Sequence, residues 1–540
     1  MEPEHELAVF ARLVARRAQD EPDRLAVVFE NGELPHEIVR NRDLALHGNQ
    51  LAWELGRAGL RIGDRVAVML RNHPEFVYAM VANSKLGLTT VPIDPRARGE
   101  RLRYFLTFAG CQALLVADST LSDPQAARVI SETGIRTYAL STPEGRARGL
   151  TVDGWPSLDE VLQGPVREDV GQHVESLNHP WLLSYTSGTT GDPKAIAFGY
   201  DRMLFYRLTP GFFGYRGDDV PYTGLSLIHG NALVATLMPA LWGVVDHSVF
   251  SRWFTKSRLW DVCIEHGCTT WSNLGGIATA VYGEPPAPHD RAHSVRLVVS
   301  AGMPRDLWGP FEERFGVRVL EWYGTMEGGF AWNPPGVGPR GSFGKPPEGM
   351  IEMEVVDEDG QPLPPSQIGE LVARPAGQPA RVEYHGNAEA SAQKVRGGWL
   401  HTGDMGWKDE QGWFFFAHRQ EEGGIRKLGE FVPAGFIMRV LAEDPEVVDV
   451  HVYGVPARSG APGESEVVAA VVATDAVRVD AAALFARCAE RLERAYVPDY
   501  IQVLDELPKT ATEKVQTRLL VESFDRSSPR VLARDQALAR

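Results

Sequence analysis

The run Tyr185-Thr186-Ser187-Gly188-Thr189-Thr190-Gly191-Asp192-Pro193-Lys194 lies between two apolar stretches, Trp181-Leu182-Leu183 and Ala195-Ile196-Ala197-Phe198. Short apolar stretches bounded in this way read as strands, so the run is a loop joining two of them. Its composition is that of a loop that wraps polyphosphate. Glycine lets backbone N–H groups come close to oxygen atoms, and successive N–H groups form an anion-binding concavity. The Ser and Thr hydroxyls add donors, and Lys194 adds a point charge. The loop is not a Walker A motif, because no Gly-Lys-Ser/Thr closes a G-x-x-x-x-G spacing. The alternative is a flexible Ser/Thr/Gly turn with no ligand.

Short β-branched runs alternate with helical patterns through the first four hundred residues. Residues 66–70, 113–116 and 295–299 have strand composition, and 76–86 and 306–315 have helical spacing. Alternation of this kind predicts an α/β fold with a mostly parallel sheet covered on both faces. Residues 144–172 are polar and rich in Gly and Pro, and are expected to be loop. Residues 334–347 are denser still in Pro and Gly, as in an ordered connector into a β-rich subdomain. The run Met350-Ile351-Glu352-Met353-Glu354-Val355-Val356 alternates as a half-exposed strand does. From Arg419 to Gly424 the composition changes to charge plus paired Gly, a linker signal.

The 540 residues suffice for several packed domains, and 44% apolar with 23% charged residues is a globular balance. A formal net charge of −16 argues against a nucleic-acid partner, which needs a basic face. The best apolar stretch, 232–245, is too short for a membrane span and carries Pro239. The acidic start Met1-Glu2-Pro3-Glu4-His5-Glu6 does not read as a secretory signal. Cys111, Cys263, Cys268 and Cys488 are too few and too scattered for a disulfide framework. Cys263 and Cys268 lack a second ligand pair for zinc. Reduced thiols in a cytoplasmic protein are the expectation.

Further motifs follow the loop in order: Tyr323-Gly324-Thr325-Met326-Glu327-Gly328, then His401-Thr402-Gly403-Asp404, then Leu507-Pro508-Lys509-Thr510-Ala511-Thr512-Glu513-Lys514. Gly63-Asp64-Arg65-Val66-Ala67-Val68 and Val91-Pro92-Ile93-Asp94-Pro95 precede it. Taken together, and over nearly the whole chain, these resemble the adenylate-forming superfamily of acyl-CoA synthetases, peptide-synthetase adenylation domains and luciferases. The resemblance implies a large multi-subdomain body over 1–419, with mostly parallel sheets flanked by helices plus a β-rich subdomain. A small mobile α+β lid over 420–540 would follow, with the hinge near Gln420.

The resemblance also implies roles. Thr186, Ser187, Gly188, Thr189, Thr190, Gly191 and Lys194 would hold the phosphates of ATP. Lys514 would be the catalytic lysine, with a solvated surface lysine as the alternative. Glu327 would hold Mg²⁺, or be a simple surface carboxylate. Tyr323 would stack on adenine, with Gly324 and Thr325 beside it and Gly302 and Met303 across it. Asp404, joined by Arg419, would accept the ribose hydroxyls, or cap its own turn. His229 would lie close to the substrate, or be an interior imidazole. Trp271, Asn273, Gly275 and Trp322 would line the acyl pocket with His229; the two indoles suit a bulky apolar acid, or are core aromatics. Gly429 would admit the pantetheine arm of CoA.

Some residues depart from the pattern. Met326 fills the slot where the family carries Thr before the magnesium-binding Glu, and Met cannot donate a hydrogen bond. Glu513 precedes Lys514 where Gly is common. The hinge run 419–424 carries an extra residue, and Ala195 replaces a Gly. The expected activity is an acyl-CoA ligase that makes acyl-AMP with ATP and Mg²⁺ and passes the acyl group to CoA. One rival is a thioesterification-only enzyme supplied with acyl adenylate by a separate adenylating partner. Others are a carrier-protein thiol as acceptor and a non-catalytic acyl-nucleotide binding protein.

Overall fold

A computed structural model of the chain describes residues 3–186, 193–419, 425–427, 430–432, 434–458, 465–473, 479–508 and 515–537. They form two compact units. The first comprises 1–95, 109–184 and 195–417; the second comprises 96–108, 185–194 and 418–540.

Two sheets organise the first unit. In one, Arg136–Leu140, Ala113–Ala117, Arg65–Met69, Thr89–Pro92 and Pro180–Thr186 lie side by side, with Lys194–Gly199 at the edge. The other has eight strands in the order Phe330–Asn333, Arg318–Gly324, Leu297–Ala301, Thr270–Leu274, Pro221–Thr223, Ser248–Ser251, Leu25–Glu30 and Glu37–Arg40. Its inner strands are parallel and only its two edge strands are antiparallel. Parallel strands buried on both faces need continuous apolar sequence. Ala113–Ala117 is buried at every position, as is all but the first residue of Arg65–Met69. The helices expected at 76–86 and 306–315 run as Pro74–Leu86 and Arg305–Phe315.

Residues 144–172, expected to be loop, include the helix Leu158–Gln163. Ser157 caps it by accepting the Glu160 N–H at 3.2 Å. Leu158 and Leu162, four apart and therefore on one helical face, are buried. A cap and one i,i+4 apolar pair suffice for so short a helix when tertiary packing covers the pair. The β-rich part follows as Ile351–Val356, Gly369–Pro375 and Trp399–Lys408, paired antiparallel, with Phe414–Arg419 beside the last. The connector 334–347 is tied in by bridges from Trp332 to Lys345 and from Gly344 to Phe414.

The second unit has a four-stranded sheet, Val447–Pro456, Ser465–Ala473, Tyr500–Leu504 and Val531–Ala533. The helices Ala434–Ala442 and Ala481–Arg491 supply Phe436, Ile437, Leu484 and Phe485 to its core. The helix Gly99–Phe108 belongs here: Arg101 donates to Glu493 at 2.8 Å and to the Tyr496 hydroxyl at 2.7 Å. All four cysteines are free and buried. Among the described residues no helix is long and apolar enough to cross a membrane.

Candidate functional site

Three neighbouring parallel strands, Thr270–Leu274, Leu297–Ala301 and Arg318–Gly324, pair in register, so their carboxyl ends come together. Ligands of open α/β sheets bind at such ends. Gly275, Gly302 and Met303 follow two of these strands, and Tyr323 is the last residue but one of the third. Gly302 adopts φ +96°, a left-handed conformation that glycine takes without strain. A Cβ on Gly275 would stand 1.7 Å from the Gly302 carbonyl oxygen, so the two loops touch through bare backbone. Glu321, buried in the strand below, fixes the turn: its carboxylate accepts the amides of Gly302 and, at 3.0 Å, of Met303. Burial pushes the Glu321 carboxyl up to about 8, against the pull of those amides.

The Tyr323 hydroxyl donates to Asp404 Oδ2 at 2.7 Å, and Phe343 stacks on the Tyr323 ring at 4.6 Å. Asp404 was expected in a turn. It lies instead within the strand Trp399–Lys408, where the register against Gly369–Pro375 slips between Glu370 and Val372. Gly403 takes φ +77° at this bulge. Glu370 holds it by accepting the Gly403 amide at 3.0 Å and pairing with His401 Nδ1 at 2.7 Å. Lys394 donates to the Thr402 carbonyl at 2.9 Å. A bulge re-aims one side chain out of strict alternation, which suits a carboxylate directed at a ligand.

The loop after Tyr323 is gripped from two sides. Arg202, lying over the Phe198 ring, donates to the carbonyls of Met326 at 2.8 Å and Glu327 at 3.3 Å. The Tyr384 hydroxyl donates to Glu327 Oε1 at 2.7 Å. Burial first, and then the Glu327 charge, push the Tyr384 phenol well above its ordinary range, so it remains a donor. Thr325 turns its hydroxyl onto the Gly328 carbonyl at 2.5 Å. Met326 packs against the main core, and its sulfur lies 3.6 Å from where a Gly230 Cβ would be. Glu327 therefore offers a half-buried carboxylate on a fixed backbone. One such hard oxygen donor fits a Mg²⁺ ion that takes its other ligands from water and phosphate.

Among the described residues one His/Cys/Asp/Glu group could hold a metal ion, namely His36, Glu265 and His266. The Asn31 N–H donates to His36 Nδ1 at 3.2 Å, which leaves the proton on Nε2, 2.9 Å from Glu265. A ring in that tautomer donates from Nε2 and does not ligate through it.

The expected acyl-pocket residues do not share one environment. His229 is exposed and precedes the short helix Gly230–Ala232. Asn273 is buried and accepts from Ser300 Oγ at 3.3 Å. Trp322 is half-buried beside Phe213 and Phe330. Trp271 is a core side chain, 1% exposed, edge-on to Trp260 at 5.8 Å and stacked on Phe311 at 6.2 Å. Gly324 is exposed. Thr186 and Arg419 end the strands Pro180–Thr186 and Phe414–Arg419, and Lys194 begins Lys194–Gly199. Ser187, Gly188, Thr189, Thr190, Gly191, Gly429 and Lys514 lie outside the described residues, as do Glu513 and the hinge residues 420–424.

Sequence reading missed Glu321, Glu370, Arg202 and Tyr384. Glu321 had a signal: an acid in an otherwise apolar strand, Val319-Leu320-Glu321-Trp322, must find partners when buried. Glu370 carried the same signal, an acid in the buried strand run Gly369-Glu370-Leu371-Val372-Ala373, and Arg202 and Tyr384 had none.

Residues 14–378 match the family model of the AMP-binding enzymes, and 439–514 match that of their C-terminal domain. The chain belongs to this family, among its acid–thiol ligases, the acyl-CoA synthetases. It is 32% identical to the steroid-22-oyl-CoA synthetase of Rhodococcus jostii, over 96% of this chain and 92% of that protein. It is 31% identical to a medium/long-chain-fatty-acid–CoA ligase of Mycobacterium marinum, over 87% of this chain and 89% of that one. In fold it resembles the o-succinylbenzoate CoA synthetase of Bacillus subtilis, with a TM-score of 0.78 and 24% identity over 94% of this chain and 98% of that one.

Proposed function

We propose that the protein is an acyl-CoA ligase that activates a bulky apolar carboxylic acid as acyl-AMP and transfers the acyl group to CoA. The observation that carries this reading is the joining of Tyr323 to Asp404 at 2.7 Å, beside the turn that Glu321 builds from Gly302 and Met303. Adenine lies between Tyr323 and that turn, and the ribose hydroxyls donate to Asp404. In the first step an oxygen of the carboxylic acid attacks the α-phosphorus of ATP and pyrophosphate leaves. Two anions meet, so positive charge aimed at the transition state lowers the barrier. By the family resemblance Lys194 and Lys514 would supply it, and residues 186–191 would hold the phosphates. Mg²⁺ held by Glu327 would neutralise phosphate charge. In the second step the CoA thiolate attacks the acyl carbonyl and AMP leaves. The relatives named for steroid and fatty acyl substrates support an apolar acid.

A second reading is favoured by one observation. Neither residue before Glu327 has a hydroxyl to give to an α-phosphate: Thr325 spends its own on Gly328, and Met326 has none. The first step would then be slow, and a preformed acyl adenylate from a partner enzyme would be the substrate.

The test is a panel of carboxylic acids, steroidal, long-chain and aromatic, incubated with ATP, Mg²⁺ and CoA and read by mass. Acyl-CoA and AMP formed in equal amounts from one class support the first reading. Acyl-CoA from synthetic acyl adenylates alone supports the second. No acyl-CoA from either rejects both.

A further inference from the structure

We infer that Tyr384 is a positioning residue whose hydroxyl holds Glu327 in the orientation that meets the divalent cation of ATP. The inference rests on the reading of Glu327 as the metal ligand and goes beyond it to a residue that no motif named.

The contact is specific. The phenol O–H donates to Oε1 at 2.7 Å, and this hydrogen bond takes one of the two carboxylate oxygens. A bond from a neutral donor to a carboxylate is charge-assisted, short and directional. It therefore restricts the side-chain rotamers of Glu327 more than packing alone does.

The donor itself is anchored. Tyr384 forms an antiparallel bridge with Ile196, in the strand that leaves the 185–194 loop. On either side, the His385 amide donates to the Ala195 carbonyl at 2.7 Å and the Ala197 amide to the Glu383 carbonyl at 3.3 Å. The Tyr384 amide donates to Ser391 Oγ at 2.9 Å, and the residue is 5% exposed. The position of the phenol is thus set by the strand Lys194–Gly199 and not by a loose surface segment. Arg202 meanwhile holds the Glu327 carbonyl. Main chain and side chain of Glu327 are fixed by different elements, which join the loop after Tyr323 to the start of the strand after the phosphate-loop run. Outer-shell partners of this kind typically change metal affinity about 10- to 100-fold when removed.

The test uses the full-length protein with α,β-methylene ATP and Mn²⁺ as the probe, with free Mn²⁺ followed by electron paramagnetic resonance. Tyr384→Phe keeps the ring and removes the hydroxyl. The expected result is Mn²⁺ binding weaker by about 10-fold or more, AMP affinity without metal kept within about twofold, and pyrophosphate exchange that recovers as Mg²⁺ is raised. Mn²⁺ binding that is unchanged or tighter overturns the inference. So does a general loss of AMP affinity and thermal stability, which would make Tyr384 a structural residue only. Glu327→Gln, run in parallel, separates the two layers. If it leaves Mn²⁺ affinity intact, the reading of Glu327 fails. If it weakens Mn²⁺ while Tyr384→Phe does not, only the role of Tyr384 fails.

Discussion

Tyr323 and Asp404 lie 81 positions apart and are joined by a 2.7 Å hydrogen bond from phenol to carboxylate. The bond locks the ring that would stack on adenine to the carboxylate that would receive the ribose. Asp404→Ala is expected to weaken AMP binding by about 10- to 100-fold, the loss of hydrogen bonds to a charged group at about 1.5–3 kcal/mol. Tyr323→Phe keeps the stacking ring and should lose less, about fivefold, which is the weight of one net hydrogen bond near 1 kcal/mol. Calorimetric titration with AMP checks both, and equal losses in the two variants would contradict the division of roles.

Gly275 and Gly302 make a second paired prediction. An added Cβ at Gly275 would lie 1.7 Å from the Gly302 oxygen, a backbone atom that cannot move aside cheaply. Gly275→Ala should displace the Gly302–Met303 turn and cost about 1–3 kcal/mol through overpacking. Thermal denaturation and AMP affinity should fall together. A stable variant with normal AMP affinity would show that the close approach is not needed.

Much of this site could be read from the chain, and the division between what could and could not is physical. Tyr323, Asp404, Gly302 and Glu327 are local in character: each sits in a short run whose residue types suit the proposed chemistry. Strand and helix positions near 66–70 and 76–86 followed from periodicity, because parallel strands and the helices covering them are patterned over their whole length. The supporting shell was legible only as acids in apolar strands, Glu321 and Glu370, and not in what its members hold. Glu321, Glu370, Arg202 and Tyr384 act on residues up to 125 positions away, and no local pattern encodes such a pairing. The turn assigned to Asp404 was a bulge, since Thr-Gly-Asp composition is compatible with both, and only the strand partner Glu370 selects one. Trp271 illustrates the same limit: an indole in a strand has no sequence mark that separates core from pocket wall.

A pH dependence follows from Glu75, half-buried at the start of the helix Pro74–Leu86. Burial, and then the nearby Glu37 charge, push its carboxyl from the ordinary 4.5 up to about 8. Between those values the folded protein holds a proton that the unfolded chain has released. Its contribution is therefore full below pH 4.5 and is lost as pH rises through about 8. Glu75→Gln, a neutral isostere, should flatten the decline in stability from about pH 5 to 8 that linkage assigns to this group. Urea unfolding at several pH values measures it, and an identical slope in the variant would contradict the assignment.

Met326 separates the two readings of function. Met326→Thr places a hydroxyl in the slot where Thr325 and Met326 supply none to a phosphate. If the first step is limited by that missing donor, pyrophosphate exchange should rise by at least about tenfold, since one transition-state donor is worth about 100-fold or more. The ratio of exchange to thioester formation should rise with it. An unchanged ratio would mean that the loop is not what sets the rate of adenylation.

The most direct measurement is acid-dependent ATP–pyrophosphate exchange by the wild-type protein, followed in the same samples by acyl-AMP and, once CoA is added, acyl-CoA. Exchange that requires one class of bulky apolar acid, with acyl-AMP converted to acyl-CoA on addition of CoA, is the expected result. AMP binding with no exchange, no acyl-AMP and no acyl-CoA from any acid or synthetic adenylate would contradict the assignment of this site to acyl activation.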